Sequence, residues 1–348
     1  MFSNLRSLIF KLDPELAHNL AIKSLKFNFV PNILDEDKNN PLFKTKLFNK
    51  NLDNPIGMAA GFDKNAEVYN SLFKLGFGFV EVGTITPLKQ FGNPKPRLFR
   101  LVEDQALINR LGFNNLGATN VLDRIKSNSQ IGLLGINIGP NKITDNRLND
   151  YVECLKTFYD VADYITINIS SPNTEDLRSF HDQTKLNELL EIIDKEKKIL
   201  NSTIPIAVKI SPDINDKEIH KICDVLLSNN IEVIIVSNTS DSTRENLNNI
   251  QGHQKGGLSG KPIEKKSTKL INKFYKILKG RIKIIGVGGV DSGESAYKKF
   301  LAGANYVQLY TGMVFRGPNI VHMIKKELSE LLVKDGVNNY SEIIGKND

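Results

Sequence analysis

Apolar positions follow two different rhythms along the chain. In the first thirty residues they recur every three or four places: Leu5, Leu8, Ile9 and Leu12, then Leu16, Leu20, Ala21, Leu25 and Phe29. That spacing predicts two short amphipathic helices. Between them Asp13-Pro14-Glu15 reads as an N-cap, a first-turn proline and an acid suited to a helix N-terminus, so the second helix restarts at Pro14. Residues 31–54 are polar and turn-rich, and read as a linker carrying a short hairpin around Asn49-Lys50. From residue 55 the rhythm changes. Apolar runs of strand length occupy 55–60, 78–83, 132–138, 163–169, 204–210, 232–237, 282–286 and 305–309. Helical patterns separate them near 66–75, 115–127, 150–160, 184–200, 215–229, 264–278 and 292–301, with a last one near 318–333.

Strand–helix units repeated in this way predict an α/β fold with a parallel sheet, and eight strands is the number that closes a (β/α)8 TIM barrel. A doubly wound open sheet also fits, because spacing alone does not establish closure. On the barrel reading the chain divides into a helical arm (1–30), the linker (31–54), one barrel domain (55–335) and a polar C-terminal tail (336–348). Three connections are longer than plain turns: 84–114, 170–183 and 238–263. Each follows a strand and so lies on the C-terminal face, where barrel enzymes build their active sites.

The strand ends carry the candidate chemistry. In Ile165-Thr166-Ile167-Asn168-Ile169 the isoleucines alternate with polar residues, so the isoleucines meet the helices and Asn168 turns inward. Asn137 lies between Ile136 and Ile138 on the preceding strand, Lys209 between Val208 and Ile210, and Ser237-Asn238-Thr239 closes the sixth strand. An inward polar residue must be hydrogen-bonded, and for any one of these a satisfied structural amide is an equally good reading. Four at one level on neighbouring strands point to a ligand-binding floor. Lys209 is the sharpest of them: a buried ammonium needs a compensating anion, or stabilises negative charge developing on a ligand such as a reduced flavin. A Schiff-base lysine and a lysine reaching to the rim are its alternatives. Gly286-Val287-Gly288-Gly289 and Tyr310-Thr311-Gly312 follow the seventh and eighth strands, where barrels often bind phosphate. Their spacing is not GxGxxG, which disfavours a nicotinamide domain.

Composition adds bounds. The chain has 348 residues, 40% hydrophobic and 24% charged, which is ordinary globular composition. No apolar run approaches the ~20 residues needed to cross a bilayer. Two cysteines, Cys154 and Cys223, make neither a disulfide framework nor a cysteine zinc site, and the five histidines show no metal-ligand spacing. A net charge of +7 permits anionic lipid, nucleic acid or a small anion as partner and decides nothing. Arg6, Lys11, Lys23 and Lys26 among large apolar residues give the arm the character of an interfacial segment, and a helical arm packed on its own domain fits equally well. No secretory signal is expected, since an uninterrupted apolar region and cleavage site are missing.

Long motifs, ordered along the chain, carry a resemblance. Ala60-Gly61-Phe62-Asp63-Lys64, Gly83-Thr84, Lys95-Pro96-Arg97-Leu98-Phe99-Arg100, Asn109-Arg110-Leu111-Gly112-Phe113-Asn114-Asn115, Asn168-Ile169-Ser170-Ser171-Pro172-Asn173-Thr174 and Gly256-Gly257-Leu258-Ser259-Gly260 resemble dihydroorotate dehydrogenase. The closest group is its quinone-linked, membrane-associated class 2, and the match runs to about residue 320. The resemblance implies an FMN-containing (β/α)8 barrel that oxidises dihydroorotate to orotate in pyrimidine synthesis, with ubiquinone or a related quinone as final acceptor.

By the same resemblance FMN is held by Ala60, Gly61, Lys64, Thr84, Asn137, Asn168, Lys209, Ser237, Gly260, Gly289, Tyr310 and Thr311. Substrate is held by Lys64, Asn109, Arg110, Leu111, Gly112, Phe113, Asn168, Asn173, Asn238 and Thr239. Ser171 matches the class 2 catalytic base; an ordinary turn is the plain reading of Ser171-Pro172-Asn173 without the family. The soluble class 1 carries cysteine there, and neither cysteine of this chain is near. Ser237 departs from the expected threonine but keeps the hydroxyl. The arm becomes a funnel admitting quinone to the flavin edge, with His18, Arg100 and Tyr310 along the route. Expected partners are therefore dihydroorotate and orotate, a quinone and a membrane surface, with no nucleic acid and no obligatory protein partner. The expected location is peripheral, on the cytoplasmic face of a bacterial inner membrane, with the mitochondrial inner membrane as the other setting. Two competing readings are a tRNA dihydrouridine synthase, another FMN barrel suited by a pI near 9.1, and a membrane adaptor using only the arm. No basic RNA-binding domain is appended, and an adaptor has no need of complete loop motifs.

Overall fold

The computed structural model describes residues 2–27, 40–174, 176–242 and 244–346; the expected helical position of Phe29 and the linker up to residue 39 lie outside these. Helices α1 (Phe2–Ile9) and α2 (Pro14–Lys26) form the arm. The break between them is where the sequence places it: Asp13 Oδ1 accepts from the amides of Glu15 (3.0 Å) and Leu16 (2.9 Å), with Pro14 at the first helical position. Strands β1 (Thr45–Leu47) and β2 (Lys50–Leu52) pair antiparallel through Phe48 and Asn49, both at positive φ.

The barrel strands are β3 (Ile56–Met58), β4 (Phe79–Ile85), β7 (Leu133–Ile138), β8 (Tyr164–Asn168), β9 (Ile206–Ile210), β10 (Val233–Val236), β12 (Lys283–Val287) and β13 (Tyr306–Leu309). They pair in parallel, in chain order, and β13 closes onto β3, which removes the open-sheet alternative. Around them lie α3 (Tyr69–Lys74), α4 (Ala118–Lys126), α5 (Arg147–Phe158), α6 (Gln183–Ile199), α7 (Asp216–Ser228), α8 (Glu264–Leu278), α9 (Gly293–Leu301), α10 (Thr311–Arg316) and α11 (Ile320–Lys334). The sequence reading missed α10, whose six residues end at Gly317 with φ +86°.

Strand alternation sorts the core into layers. Outward residues such as Ile136, Ile138, Ile165, Ile167, Val208 and Ile210 pack against the helices. Inward residues Phe79, Leu133, Tyr164, Val233, Ile285 and Tyr306 fill the barrel's lower end, which Leu47 and Leu52 of the hairpin plug. Above this apolar layer the inward positions turn polar. Glu81, Thr166 and Gln308 come first, then Asn137, Asn168 and Lys209.

Two of the long connections fold together into something strand spacing did not reveal. Strands β5 (Leu98–Leu101), β6 (Ala106–Asn109) and β11 (Gly257–Gly260) make a three-stranded antiparallel sheet over the barrel mouth, with Gly257 paired to Asn109. Phe99, Leu101, Ile108, Leu258 and Ile263 form its own small core. Helix α2 packs on β5, pinned by Glu15, which accepts from Arg97 Nε (3.2 Å) and Nη2 (2.7 Å). Helix α1 packs on α10 through a Phe10–Phe315 ring contact at 5.4 Å. At the other end of the chain Tyr340 and Ile343 are buried, Tyr340 donating to the Asn305 carbonyl at 2.9 Å.

Candidate active site

A cavity open to solvent occupies the barrel mouth, floored by the strand ends and walled by the β5–β6–β11 sheet and the loops after β8, β10, β12 and β13. Its floor is a connected polar network. Glu81 accepts from Asn137 Nδ2 (2.8 Å), Tyr164 OH, Thr166 Oγ1 and Gln308 Nε2 (3.1 Å each). Asn137 Oδ1 in turn accepts from Thr84 Oγ1 (2.6 Å) and Asn168 Nδ2 (3.1 Å). Asn168 Oδ1 takes the Ser170 hydroxyl at 2.6 Å, and that hydroxyl accepts from Asn238 Nδ2 at 2.8 Å. Amide orientations fixed at both ends hold the exposed edges of Asn168 and Asn238 in one arrangement toward the cavity.

Lys209 lies beside this network with its ammonium facing the cavity. Burial lowers it below the ordinary lysine range, and the Glu81 carboxylate opposes that shift. Among the described residues no carboxylate lies within ion-pair distance of it. Gln308 Oε1, buried at the same floor, has no hydrogen-bond partner among the described residues. An acceptor short of a donor and a cation short of an anion, both lining one cavity floor, are what a polar ring system bearing both donors and acceptors would satisfy.

One wall carries Ser171, whose hydroxyl accepts from the Asn173 amide at 3.2 Å. Asn173 Nδ2 reaches the Asn109 carbonyl at 3.1 Å, so the loops after β4 and β8 meet there. The opposite wall is made of bare backbone, with Gly288 at φ +117° and Gly289 at φ +75°; a Cβ on Gly289 would come within 2.4 Å of Glu264 Cβ. Only glycine fits that turn, and its exposed amides suit a phosphate.

Lys64 joins the chamber to a second, smaller one beneath α2, lined by Glu15, His18, Phe62 and Asn114 among others. Its Nζ donates to the Gly61 carbonyl (2.8 Å) and lies 3.4 Å from His18 Nε2. Burial lowers Lys64 to about 8 against the pull of Glu15 and Asp63. Burial, reinforced by Lys64, holds His18 well below its ordinary value, so the ring is neutral and Nε2 accepts. His18, Phe62 and Tyr310 form a ring cluster, with centroids 5.3 Å apart for His18–Phe62 and 5.7 Å for Phe62–Tyr310.

The structure brings most of the residues singled out in the sequence around one cavity. Ala60, Gly61, Lys64, Thr84, Asn168, Lys209, Ser237, Gly260, Gly289, Tyr310 and Thr311 line it, as do Asn109, Leu111, Gly112, Phe113, Ser171, Asn173, Asn238 and Thr239. Asn137 sits one hydrogen bond below. Three side chains lie elsewhere, of which His18 lines the second chamber beneath α2. Arg110 turns outward, donating to Gln254 Oε1 (3.0 Å) and the Pro96 carbonyl (2.8 Å) and stacking on Phe99 at 4.5 Å. Arg100 stacks on Phe10 at 4.5 Å and donates to the carbonyls of Phe10 (3.1 Å) and Leu12 (3.3 Å), so it anchors the turn between α1 and α2. Glu81 and Gln308 were missed. Their inward alternation was a readable signal, but which neighbours would satisfy them was not.

Comparison with known proteins gives a consistent result. A family model described as dihydroorotate dehydrogenase matches residues 42–332. The chain is similar to the dihydroorotate dehydrogenase (quinone) of Bartonella tribocorum, 46% identical over 344 residues, spanning 97% of this chain and 94% of that protein. That of Agrobacterium fabrum is 43% identical over 349 residues, spanning 99% and 95%. Among solved structures, DHODH from Eimeria tenella in complex with ferulenol superposes with a TM-score of 0.92 at 38% identity, over 96% of each chain.

Proposed function

The chain belongs to the dihydroorotate dehydrogenase family, and from that premise we propose how its residues divide the work of a quinone-dependent enzyme of pyrimidine biosynthesis. Family membership displaces both the tRNA-modifying reading and the adaptor. The overall reaction converts dihydroorotate and quinone to orotate and quinol. FMN, the family's cofactor, would when bound supply hydride-accepting and electron-transferring chemistry between substrate and quinone. The residues fit it: Lys209 and Gln308 offer an unmatched cation and acceptor at the floor, and Gly288–Gly289 offer a bare cradle.

Asn109, Asn168, Asn173 and Asn238 present paired amide donors and acceptors to the cyclic imide, and Lys64 faces its carboxylate. Ser171 takes the proton from C5 while the C6 hydrogen leaves as hydride. The single observation that carries this reading is the meeting of Ser171, the asparagines, Lys64 and the glycine turn around one cavity. The decisive experiment is an anaerobic flavin spectrum, first with dihydroorotate and then with a ubiquinone analogue. Bleaching followed by recovery is expected. A flavin that ignores dihydroorotate would reject the substrate assignment.

Because a carboxylate pairs with the charged form of Lys64, KM for dihydroorotate is expected to rise as pH passes through about 8. Lys64→Met should raise KM by about tenfold to a hundredfold and flatten that dependence. A KM that stays pH-dependent in the variant would assign the titration to another group.

Quinone approaches, on this reading, through the arm. Leu5 (49% exposed), Leu8 (63%), Leu16 (48%) and Leu20 (46%) present apolar side chains to the surroundings, the pattern of a helix pair resting on a membrane. No helix among the described residues is long and apolar enough to cross one. The His18–Phe62–Tyr310 cluster lines the inner end of the route, and Arg100 holds the arm's corner in place. Deleting residues 1–30 should leave reduction by dihydroorotate intact and sharply slow reoxidation by long-chain quinone. Unchanged quinone kinetics would remove the arm from the electron path.

A further inference from the structure

Lys299, on α9, is fully buried and takes no part in the chemistry described above. Its ammonium donates to Ser267 Oγ (3.1 Å) and Thr268 Oγ1 (3.2 Å) on α8, and among the described residues no carboxylate lies within ion-pair distance of it. Ser267 Oγ donates onward to the Val287 carbonyl, the residue before the glycine turn. The packing is close. A Cβ on Gly288 would come 3.0 Å from Ser267 Cβ, and one on Gly286 would come 3.3 Å from Lys299 Cδ. The lysine therefore sits directly behind Gly288–Gly289, one hydroxyl away from the backbone that faces the cavity.

A fully buried ammonium whose partners are all neutral hydroxyls is costly unless an anion compensates it. We propose that Lys299 is a positioning residue for the FMN phosphate, providing from behind the Gly288–Gly289 turn the net positive charge that backbone amides lack. This rests on the reading that the phosphate binds at that turn.

The surrounding charges agree. On α8 Glu264 packs against Gly289 through its backbone and Cβ, while its carboxylate lies 3.9 Å from Lys298. On α11 Glu327 is taken up by the Gly293 amide (2.6 Å) and Arg316 (3.3 Å), and Lys325 is itself buried. Burial lowers Lys299 to about 7, with Glu264 as the opposing influence. A phosphate dianion favours the charged lysine, so binding above that pH must take up a proton, and affinity must fall as pH rises.

The test compares FMN with riboflavin, which lacks the phosphate. Holoprotein loaded with either flavin is diluted and the released flavin read by its fluorescence, for the wild type, Lys299→Met and Lys299→Gln, at pH 7 and pH 9. The wild type should hold FMN more tightly than riboflavin. Both variants should lose about tenfold or more of that preference, the loss expected for one charge pair, with riboflavin binding unchanged. Wild-type FMN binding should weaken between pH 7 and pH 9, and riboflavin binding should not. Equal weakening of both flavins in the variants would mean a structural role and overturn the proposal. Full retention of the preference would overturn it too, leaving the phosphate site standing. A wild type indifferent to the phosphate would overturn both the site and the proposal. If neither variant folds, the wild-type pH dependence decides: FMN binding that does not change with pH rejects Lys299.

Discussion

Replacing Ser171 by alanine is expected to lower the rate of flavin reduction by dihydroorotate about 10²–10⁴-fold at neutral pH, the usual contribution of a positioned base. The side chain is small, lies on the cavity wall and accepts a hydrogen bond from the Asn173 amide at 3.2 Å. Its loss therefore leaves the fold and the flavin contacts in place, so flavin content and orotate binding should be preserved. The effect belongs to proton removal from C5, and a substrate deuterated there should show a larger isotope effect on reduction in the variant. Ser171→Cys provides a control. A thiol ionises near 8.5, so that variant should regain reduction as pH rises, whereas the alanine variant should not. Reduction of the alanine variant at the wild-type rate would reject Ser171 as the base.

The largest stability effect is expected at Glu81. Its carboxylate is fully buried and accepts from Asn137, Tyr164, Thr166 and Gln308 at 2.8–3.1 Å. It is also the opposing charge that the buried Lys209 feels. Glu81→Leu leaves four donors without their acceptor in a water-poor barrel and removes the charge that opposes the burial shift of Lys209. The expected cost is about 3–5 kcal/mol, since several buried donors lose their acceptor at once and each unsatisfied group costs about 1–3 kcal/mol. Glu81→Gln keeps the shape but points an NH2 at groups that are themselves donors, and should cost about 1–3 kcal/mol. Urea unfolding of the flavin-loaded proteins measures both. A loss for Glu81→Leu well below that of Glu81→Gln would mean that the network rearranges freely. In that case it could not be what orients Asn137 and Asn168.

Much of the barrel was legible because its signals are local. Every barrel strand lies within or near its apolar run, the longer helices fall close to their periodic stretches, and Asp13-Pro14 stops and restarts the arm as its chemistry dictates. Alternation turned Asn137, Asn168 and Lys209 inward correctly, since side-chain direction along a strand follows from backbone geometry alone. The β5–β6–β11 sheet was not legible. It pairs Gly257 with Asn109, two positions far apart in the chain, and no local pattern encodes that register. Arg110 illustrates the same limit. It stands inside a motif whose neighbours Asn109 and Leu111 line the cavity, yet its guanidinium finds Gln254 and Pro96 on the outer side.

Residue order alone was enough to specify eight βα units, the capped helical arm, the polar level at the strand ends and the motifs that mark the family. Closure of the sheet, the pairing of Glu81 with four inward donors, the lodging of Lys299 behind the glycine turn and the seating of His18 against Lys64 depended on the folded chain. Periodicity fixes which way a side chain faces over a few residues. What it meets there depends on contacts between segments tens to hundreds of residues apart, and those exist only once the barrel has closed.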